Sequence, residues 1–247
     1  MASEAPPAAA GIPTGLDGMA APRVVAAGAG RWLIVADAPR GRYAAGVVNG
    51  RLSDLGWVGE RAMEHERVVE HFTRHGTVVP MKLFTLFTGD EKAVADVRRR
   101  RGLARLLSSL AGREEWGVRV AVDPGRLRRR IREQAARPTP GLSAGTGFLV
   151  QRQQEQRAVR GSLDDARQRA EEVFSALAAI AADTRRRDPA GVEGASLLLD
   201  GAFLVERTRA GEFTDAARAL ARRHAPEGVS VVLTGPWPPY NFLTPSR

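Results

Sequence analysis

In the first half of the chain, two short apolar runs typical of strands are followed by a segment whose apolar residues have the spacing of a helix. The apolar runs Arg23–Ala27 and Trp32–Asp37 are separated by Gly28-Ala29-Gly30, and this pattern predicts a β-hairpin. The segment Asp54–His75 then carries apolar residues at helical spacing, and Gly76 follows it where a helix end favours glycine. The first half therefore opens with a hairpin and a long helix.

Two more elements complete the predicted N-terminal domain. Val78–Phe87 predicts a strand, which Pro80 confines to an edge or to an entry position because proline lacks a backbone donor. Asp90–Ala111 predicts a second helix. We expect this domain to cover residues 23–112, after a loose lead rich in Ala, Pro and Gly over residues 1–22.

The second half predicts a domain over residues 113–247. Its long helical region carries an apolar stripe from Leu163 to Ile180, and Ser162 with Asp165 fits a capping box at which the helix restarts. Strands and helices alternate with short links, which predicts an α+β fold with helices on one mostly antiparallel sheet. The predicted elements are strand Trp116–Val122, helix Gly125–Ala136, a breaker-rich stretch Pro138–Gly147, helix Phe148–Arg187, strand Ala195–Val205, helix Glu212–His224 and strand Val229–Leu233.

Composition narrows the classes of function. Apolar residues make up 43% of the 247 residues and there is no cysteine, so the chain can bury a core but cannot form disulfides, cysteine-ligated zinc sites or thiol nucleophiles. The longest apolar stretch, Ala176–Ala182, is far shorter than the roughly 20 residues that span a bilayer. Met1–Gly18 carries no basic cluster of the kind that opens a secretory signal. A cytoplasmic protein without a membrane partner is expected.

The basic charge leaves two interpretations. The formal net charge is +9, and only Lys82 and Lys92 are lysines among the 37 basic residues. Arginine runs at Arg98–Arg101, Arg128–Arg130 and Arg185–Arg187 are compatible with a polyanion partner. No aromatic and glycine pattern interleaves them, so solvated helical surfaces are the favoured interpretation.

Candidate catalytic and metal-binding residues are few. His65-Glu66 resembles the start of a zinc-protease helix, but Val69 stands where the second histidine is required. His71 and His75 lie one helical turn apart and offer two metal ligands, although solvated histidines are the commoner outcome. The glycine clusters lack the Lys-Ser/Thr end of a phosphate loop. We expect no enzyme, no cofactor and no bound metal.

The C-terminal segment is the most informative part of the sequence. Three prolines in Leu233–Phe242 fix the backbone, so Trp237, Tyr240 and Phe242 are presented at little entropic cost. Two interpretations remain open. Either these aromatic residues fold back and close the core of their own domain, which is favoured, or they bind a partner.

This segment also carries a family resemblance. Thr234-Gly235-Pro236-Trp237-Pro238-Pro239-Tyr240 resembles the closing motif of the gas vesicle protein F/L family, and Phe242 follows it. Other segments resemble the family in the same order along the chain. They are His65-Glu66 with Val68-Val69, Val78-Val79-Pro80-Met81, the strand Glu115-Trp116-Gly117-Val118-Arg119-Val120, and Leu198 to Val205.

The resemblance implies both a fold and a role. It implies two α+β domains, the C-terminal one a modified ferredoxin-like fold. It further implies a cytoplasmic accessory or minor structural protein of gas vesicles that binds the hydrophobic shell protein A and other accessory proteins, helps to nucleate assembly, and has no catalytic residues. The alternative from another class is a basic nucleic-acid-binding regulator, whose binding would depend steeply on salt concentration.

Two positions depart from the family pattern. Members usually begin with a short Tyr-rich strand before the segment that matches Gly15–Val25, where this chain has an Ala/Pro-rich lead. Without that strand the N-terminal sheet has an unpaired edge, or another strand fills it. Asp200-Gly201 replaces the family's more usual Asn-Ala, and a glycine inside a strand predicts a bulge.

Overall fold

The computed structural model describes residues 11–135, 144–188 and 196–243. The chain forms two compact units. The first consists of Met1–Arg113 together with Pro238–Arg247, and the second of Glu114–Trp237. The whole C-terminal tail was predicted to belong to the second domain, whereas Pro238–Arg247 groups with the first unit. The prediction relied on the tail following the last strand directly, because the tail's own sequence does not indicate which element it packs against.

The first unit contains two strands and five α-helices among its described residues. In chain order these are β1 (Arg23–Gly28), β2 (Arg31–Val35), α1 (Arg40–Tyr43), α2 (Ala45–Arg51), α3 (Leu55–His75), α4 (Asp90–Arg99) and α5 (Leu103–Leu110).

The predicted hairpin is confirmed. β1 and β2 pair antiparallel, and the two residues between them, Ala29 and Gly30, have φ angles of 52° and 67°. Two successive positive φ angles are what a two-residue turn needs to match the twist of its strands. One face of the hairpin packs against α4. The buried residues of this cluster are Ala27, Leu33, Ala93 and Val97.

Helix α3 begins where the sequence places it. The Asp54 carboxylate accepts a hydrogen bond from the backbone N–H of Trp57 at 3.0 Å, which satisfies one of the free donors of the first turn. The helix ends at His75, and Gly76 follows with extended backbone. Its buried residues are Trp57, Arg61, Val69 and Phe72.

The strand predicted over Val78–Phe87 is wrong, because this segment contains no strand. Its apolar residues serve two separate clusters instead of alternating across one sheet. Met81 packs against the hairpin cluster, and Phe84 stacks on Trp57 with 5.1 Å between ring centroids. The single helix predicted over Asp90–Ala111 is also wrong.

The chain breaks between α4 and α5, where Gly102 takes a left-handed φ of 82° and no helix continues through it. Helices α1 and α2 were not predicted at all. They span four and seven residues, which is too short for a helical period to be recognised.

The second unit is a helix-covered sheet. Its elements are β3 (Arg113–Val122), α6 (Pro124–Ala135), α7 (Ala144–Ala178), β4 (Asp183–Arg187), β5 (Ser196–Glu206), α8 (Ala210–His224) and β6 (Val229–Trp237). The boundary between the units falls after Arg113, the first residue of β3. The strand order is β4-β5-β3-β6, and the pairs β3–β6 and β4–β5 are antiparallel.

The α+β fold class is therefore confirmed. The element order β-α-α-β-β-α-β contains the β-α-β-β-α-β succession of split βαβ folds. The more specific assignment to a modified ferredoxin-like fold stays a prediction.

The helix predicted over Phe148–Arg187 needs two corrections. It ends at Ala178, and Asp183–Arg187 forms the edge strand β4, whose polar composition concealed it. An edge strand rich in charge is how proteins discourage pairing with other chains. The restart at Ser162 is wrong as well, because α7 runs through it without interruption. Residues 136–143, which include most of the predicted breaker-rich stretch, lie outside the described residues.

The core of the second unit lies between its helices and the sheet. The predicted stripe of α7 is confirmed for four residues, which pack with both central strands and with α8. The members of this core include Ala166, Ala170, Val173, Leu177, Val118, Val120, Phe203, Val205 and Phe213.

The bulge predicted at Asp200-Gly201 does not occur in the pairing with β4, where Gly201 faces Arg186 in regular register. A Cβ at Gly201 would lie 2.8 Å from the ring of Phe203. Glycine therefore makes room for a buried aromatic ring there. Asp200 is buried beside it and pairs with Arg187 and with Arg119.

Candidate functional site

The first half of the closing motif lies at the end of strand β6 in the second unit. Gly235 has a φ of 120°, and a Cβ at this position would lie 2.9 Å from the carbonyl oxygen of Glu115 and 3.3 Å from the side chains of Trp116 and Trp237. The peptide bond between Gly235 and Pro236 is cis. Both the backbone conformation and the available space at this position therefore require glycine.

The second half of the motif belongs to the first unit. Pro238, Pro239 and Phe242 are buried, and Phe242 is only 4% exposed. Backbone bonds from Tyr240 N–H to Pro238 O at 2.8 Å and from Phe242 N–H to Pro239 O at 3.1 Å hold this segment in a tight turn. Of the three aromatic residues of the C-terminal segment, Phe242 is thus buried, while Trp237 and Tyr240 are 42% and 39% exposed.

Tyr240 is held by helix α3. Its phenol donates a hydrogen bond of 2.5 Å to the carboxylate of Glu66. Partial burial of the ring raises the pKa of Tyr240, and the carboxylates of Glu66 and Glu70 raise it further. The phenol therefore stays protonated and donates this bond across the physiological pH range.

The residue beside Glu66 holds a different segment. The Nε2 atom of His65 lies 3.2 Å from the carbonyl oxygen of Met81, and since a carbonyl only accepts, this nitrogen carries the proton. Burial lowers the pKa of His65, which keeps the ring neutral. Pro80, next to Met81, is buried. Of the motif residues, α3 thus brings together His65, Glu66, Met81 and Tyr240, whereas Trp116, Gly235 and Trp237 lie in the second unit.

Removal of the phenol gives a testable pH dependence. We expect Tyr240→Phe to lower the free energy of unfolding of the first unit by about 1 kcal/mol near pH 8, because one charge-assisted hydrogen bond is lost at a partly exposed site. The folded-state pKa lies above the unfolded value of about 10, so this contribution is complete below pH 10 and is lost as pH rises further. Urea denaturation of both proteins at several pH values measures the difference.

The control for this prediction is Glu66→Gln. In its background Tyr240→Phe should cost less, because the charged acceptor is gone. A difference between wild type and Tyr240→Phe that stays constant from pH 8 to pH 11 would contradict the assignment.

Exposed apolar side chains concentrate on the first unit. Among the described residues, the large apolar side chains that are well exposed in the second unit are Val232 and Trp237. Those of the first unit are Val47, Leu52, Leu55, Met63, Leu86, Phe87 and Tyr240. This surface was not predicted, because apolar residues at helical spacing, such as those in Asp54–His75, are read as a buried helix face.

A continuous part of this surface lies on helix α3. Leu55, Gly59 and Met63 are spaced by four residues and so share one helix face. Leu55 is 81% exposed and Met63 is 69% exposed, and Ala62 between them is also exposed. Leu52, the residue after the end of α2, is 50% exposed. We call the four residues Leu55, Gly59, Ala62 and Met63 the α3 apolar face.

Basic side chains of the first unit lie around the buried residues Trp57 and Arg61. Arg61 of α3 is buried and pairs with Glu64 at 2.6 Å, and the guanidinium of Arg51 stacks over the ring of Trp57 at 4.4 Å from its centroid. A cavity of about 400 Å³ lies among these groups. We call it the arginine cavity, and it is lined by Asp17, Arg42, Tyr43, Arg51, Trp57 and Arg61.

The histidine pair considered as a metal site is arranged differently. His75 Nδ1 lies 2.7 Å from the carbonyl oxygen of His71, so this nitrogen is engaged as a donor. Across residues 11–135, 144–188 and 196–243, no group of three or more His, Cys, Asp or Glu side chains is placed to hold a metal ion. Within those same ranges no helix is both long and apolar enough to cross a membrane.

Comparison with known proteins decides the family. The family model described as "Gas vesicle synthesis protein GvpL/GvpF" matches residues 2–244. The chain belongs to this family. The resemblance carried by the closing motif and the expected gas vesicle role are thereby confirmed.

Named relatives agree with this assignment. The chain is similar to gas vesicle protein L of Streptomyces sp. strain CB03234, with 30% identity over 83% of this chain and 76% of the relative. It is also similar to gas vesicle protein L2 of Halobacterium salinarum, with 28% identity over 76% of this chain and 72% of the relative.

Two solved structures share the fold. The crystal structure of the gas vesicle protein GvpF from Anabaena sp. PCC7120 superposes with a TM-score of 0.66 and 18% identity, over 95% of this chain and 90% of that one. The crystal structure of GvpF from Microcystis aeruginosa gives a TM-score of 0.64 and 15% identity, over 97% of this chain and 95% of that one. The GvpL/GvpF member described here therefore has the architecture of GvpF.

Proposed function

We propose that this GvpL/GvpF protein is an accessory or minor structural protein of gas vesicle formation that binds the hydrophobic shell protein A and helps to nucleate assembly. It acts by stoichiometric binding and not by catalysis. It works in the cytoplasm, at the growing vesicle, together with other gas vesicle accessory proteins.

The exposed apolar surface of the first unit is the observation that supports shell-protein binding. Contiguous exposed apolar surface on a soluble protein commonly marks an interaction site. A protein that builds a gas-facing wall must itself expose apolar surface before it assembles, and that surface aggregates in water. Contact between the two surfaces removes both from water, at roughly 25 cal/mol for each Å² of apolar area buried.

The charge of the protein fits the same role. A net charge of +9 keeps a protein and its bound partner dispersed through mutual repulsion. The arginine run of β4 does not form an open polyanion site, because Arg185 pairs with Asp183, Arg186 with Glu171 and Arg187 with Asp200. The alternative of a nucleic-acid-binding regulator therefore gains no support from this run.

Co-expression with the shell protein tests the proposal. We expect the soluble fraction of shell protein A to rise severalfold when this protein is co-expressed, and the two to co-purify. The matched control expresses an unrelated basic protein of similar size at the same level. An unchanged soluble fraction together with no co-purification would contradict the proposed function.

A further inference from the structure

The two edges of the second unit's sheet differ in charge. Strands β4 and β6 are the outermost strands in the order β4-β5-β3-β6. Four of the five residues of β4 carry a charge, whereas Val229–Trp237 of β6 contains no charged residue. Charged side chains on an edge strand discourage pairing with another chain, because pairing would remove them from water. β4 is therefore protected against such pairing, and β6 is not.

The outer side of β6 offers main-chain hydrogen-bonding groups. On its inner side β6 pairs with β3, from Val229 opposite Val122 to Trp237 opposite Glu115, and within the described residues no strand lies on its outer side. In an antiparallel ladder every second residue directs its N–H and C=O away from the partner strand. Val229–Thr234 contains no proline, so each outward position has both a donor and an acceptor. Such an edge is complementary to an extended strand.

The side chains of β6 are uncharged on both faces of the sheet. Val231 and Leu233 pack on the core beneath the helices and remain partly exposed at the edge. The alternate residues Ser230, Val232 and Thr234 lie on the opposite face and are exposed, Val232 by 49%. A neighbouring strand with the same alternation would cover the edge of the core on one face and Val232 on the other.

The sequence of β6 itself has this alternation. If two copies of β6 run antiparallel about a two-fold axis at Val232, then Val232 faces its own equivalent, Val231 faces Leu233, and Ser230 faces Thr234. Each residue then faces one from the same side of the sheet, so apolar side chains meet apolar ones and hydroxyls meet hydroxyls. Cross-strand pairs of these kinds are stabilising.

Charge favours this contact and limits it to two copies. Arg119 lies directly opposite Val232 on β3, and it is compensated by Asp200 at 3.4 Å. The pairing can therefore form although each copy carries a net charge of +9. A two-fold contact uses the same edge on both copies, and only the charged β4 edges remain at the ends of the joined sheet. The assembly closes as a dimer.

We propose that β6 pairs antiparallel with β6 of a second copy of this chain, so that two four-stranded sheets join into one continuous sheet. The contact is confined to one strand of each copy, which is small for an interface, and we expect a reversible dimer with a dissociation constant in the micromolar range. This pairing does not depend on shell-protein binding.

Single cysteine variants test the register, because the chain contains no cysteine of its own. In Val232→Cys the two thiols face each other across the axis, at a Cα separation within the roughly 4.4–6.8 Å that a disulfide spans. We expect this variant to form disulfide-linked dimers in high yield on oxidation. Ser230→Cys is the matched control. Its two copies lie about 14 Å apart in the same register, so it should crosslink with Thr234→Cys and not with itself.

A charge at Val232 tests the contact without oxidation. Val232→Glu sets two carboxylates opposite each other, and sedimentation equilibrium should show association at least tenfold weaker than for the wild type. The urea denaturation curve should change little, because Val232 is exposed and Arg119 lies beside it. An equimolar mixture of Val232→Glu with Val232→Lys should restore association, since opposite charges then face each other.

Three results would overturn the inference. The first is a wild type that stays monomeric at every concentration up to the millimolar range. The second is Ser230→Cys crosslinking to itself as readily as Val232→Cys does. The third is Val232→Cys crosslinking in cells to another protein in place of its own copy, which would make β6 the edge for a different strand. Since sedimentation and oxidation use this protein alone, their failure would leave the proposed function standing.

Discussion

A chain that ends at Trp237 is expected to lose the fold of its first unit and to keep that of its second. The deletion removes Pro238, Pro239 and Phe242, which are buried, together with the bond from Tyr240 to Glu66. Removal of a buried aromatic side chain alone costs about 3–5 kcal/mol. A small domain is stable by only about 5–15 kcal/mol, so the loss takes most of the stability of the first unit.

Hydrogen exchange measured by mass spectrometry resolves this result along the chain. Amides of α3 should exchange rapidly in the truncated protein, whereas those of β5 should stay protected. The single variant Phe242→Ala should show a weaker form of the same pattern. Trp237→Ala is the control, because Trp237 is exposed and belongs to the second unit. Equal protection of α3 in the truncated and full-length chains would show that the tail is not part of the first unit.

Gly235→Ala is expected to destabilise the second unit by roughly 2–4 kcal/mol, from backbone strain together with overpacking. An added Cβ would meet the carbonyl oxygen of Glu115 at 2.9 Å, and a backbone φ of 120° is unfavourable for any residue with a side chain. Backbone atoms of the neighbouring strand cannot move aside as the end of a flexible side chain can. Thermal or urea denaturation of the full chain measures the loss.

Gly161→Ala is the matched control for that variant. Gly161 lies inside α7, and an added Cβ would meet nothing within 4 Å. Alanine favours a helix over glycine by up to about 1 kcal/mol, so this variant should be as stable as the wild type or slightly more stable. An equal loss of stability in both glycine variants would show that the conformation of Gly235 does not require glycine.

The closing motif joins two structural requirements in a few residues. Gly235 allows strand β6 to pass close to Glu115 and Trp116 in the second unit. Tyr240 and Phe242 belong to the first unit, where Tyr240 bonds to Glu66. The combination of glycine, prolines and aromatic residues in this motif is distinctive in the sequence and supports the family assignment. It does not show that the motif contributes to two units, because the partners Glu115 and Glu66 lie more than a hundred residues away.

Local signals predicted the elements whose causes are local. The hairpin follows from its turn glycines, helix α3 from its apolar spacing and the glycine after it, and the buried stripe of α7 from its apolar spacing. Elements determined by tertiary packing were missed. The strand β4 is mostly charged and gains its conformation from pairing with β5, while Val78–Phe87 resembles a strand but divides its side chains between two clusters.

The candidate site was only partly predictable for the same reason. The family motifs include His65, Glu66 and Tyr240; the first two lie on α3, and Tyr240 of the tail donates a hydrogen bond to Glu66. The α3 apolar face could not be found by periodicity, because an apolar residue at helical spacing predicts a buried position whether the surface is covered by the same chain or by a partner. Leu55 has the spacing of a core residue and lies in solvent.

The solubility of shell protein A across a range of molar ratios tests the central claim most directly. Both genes are expressed from independently titrated promoters, and the soluble shell protein is measured at each ratio of the two proteins. Stoichiometric binding predicts that soluble shell protein rises in proportion to this protein and stops rising at a fixed molar ratio. Soluble shell protein that does not rise at any ratio, or that rises fully with a trace of this protein, would contradict the account.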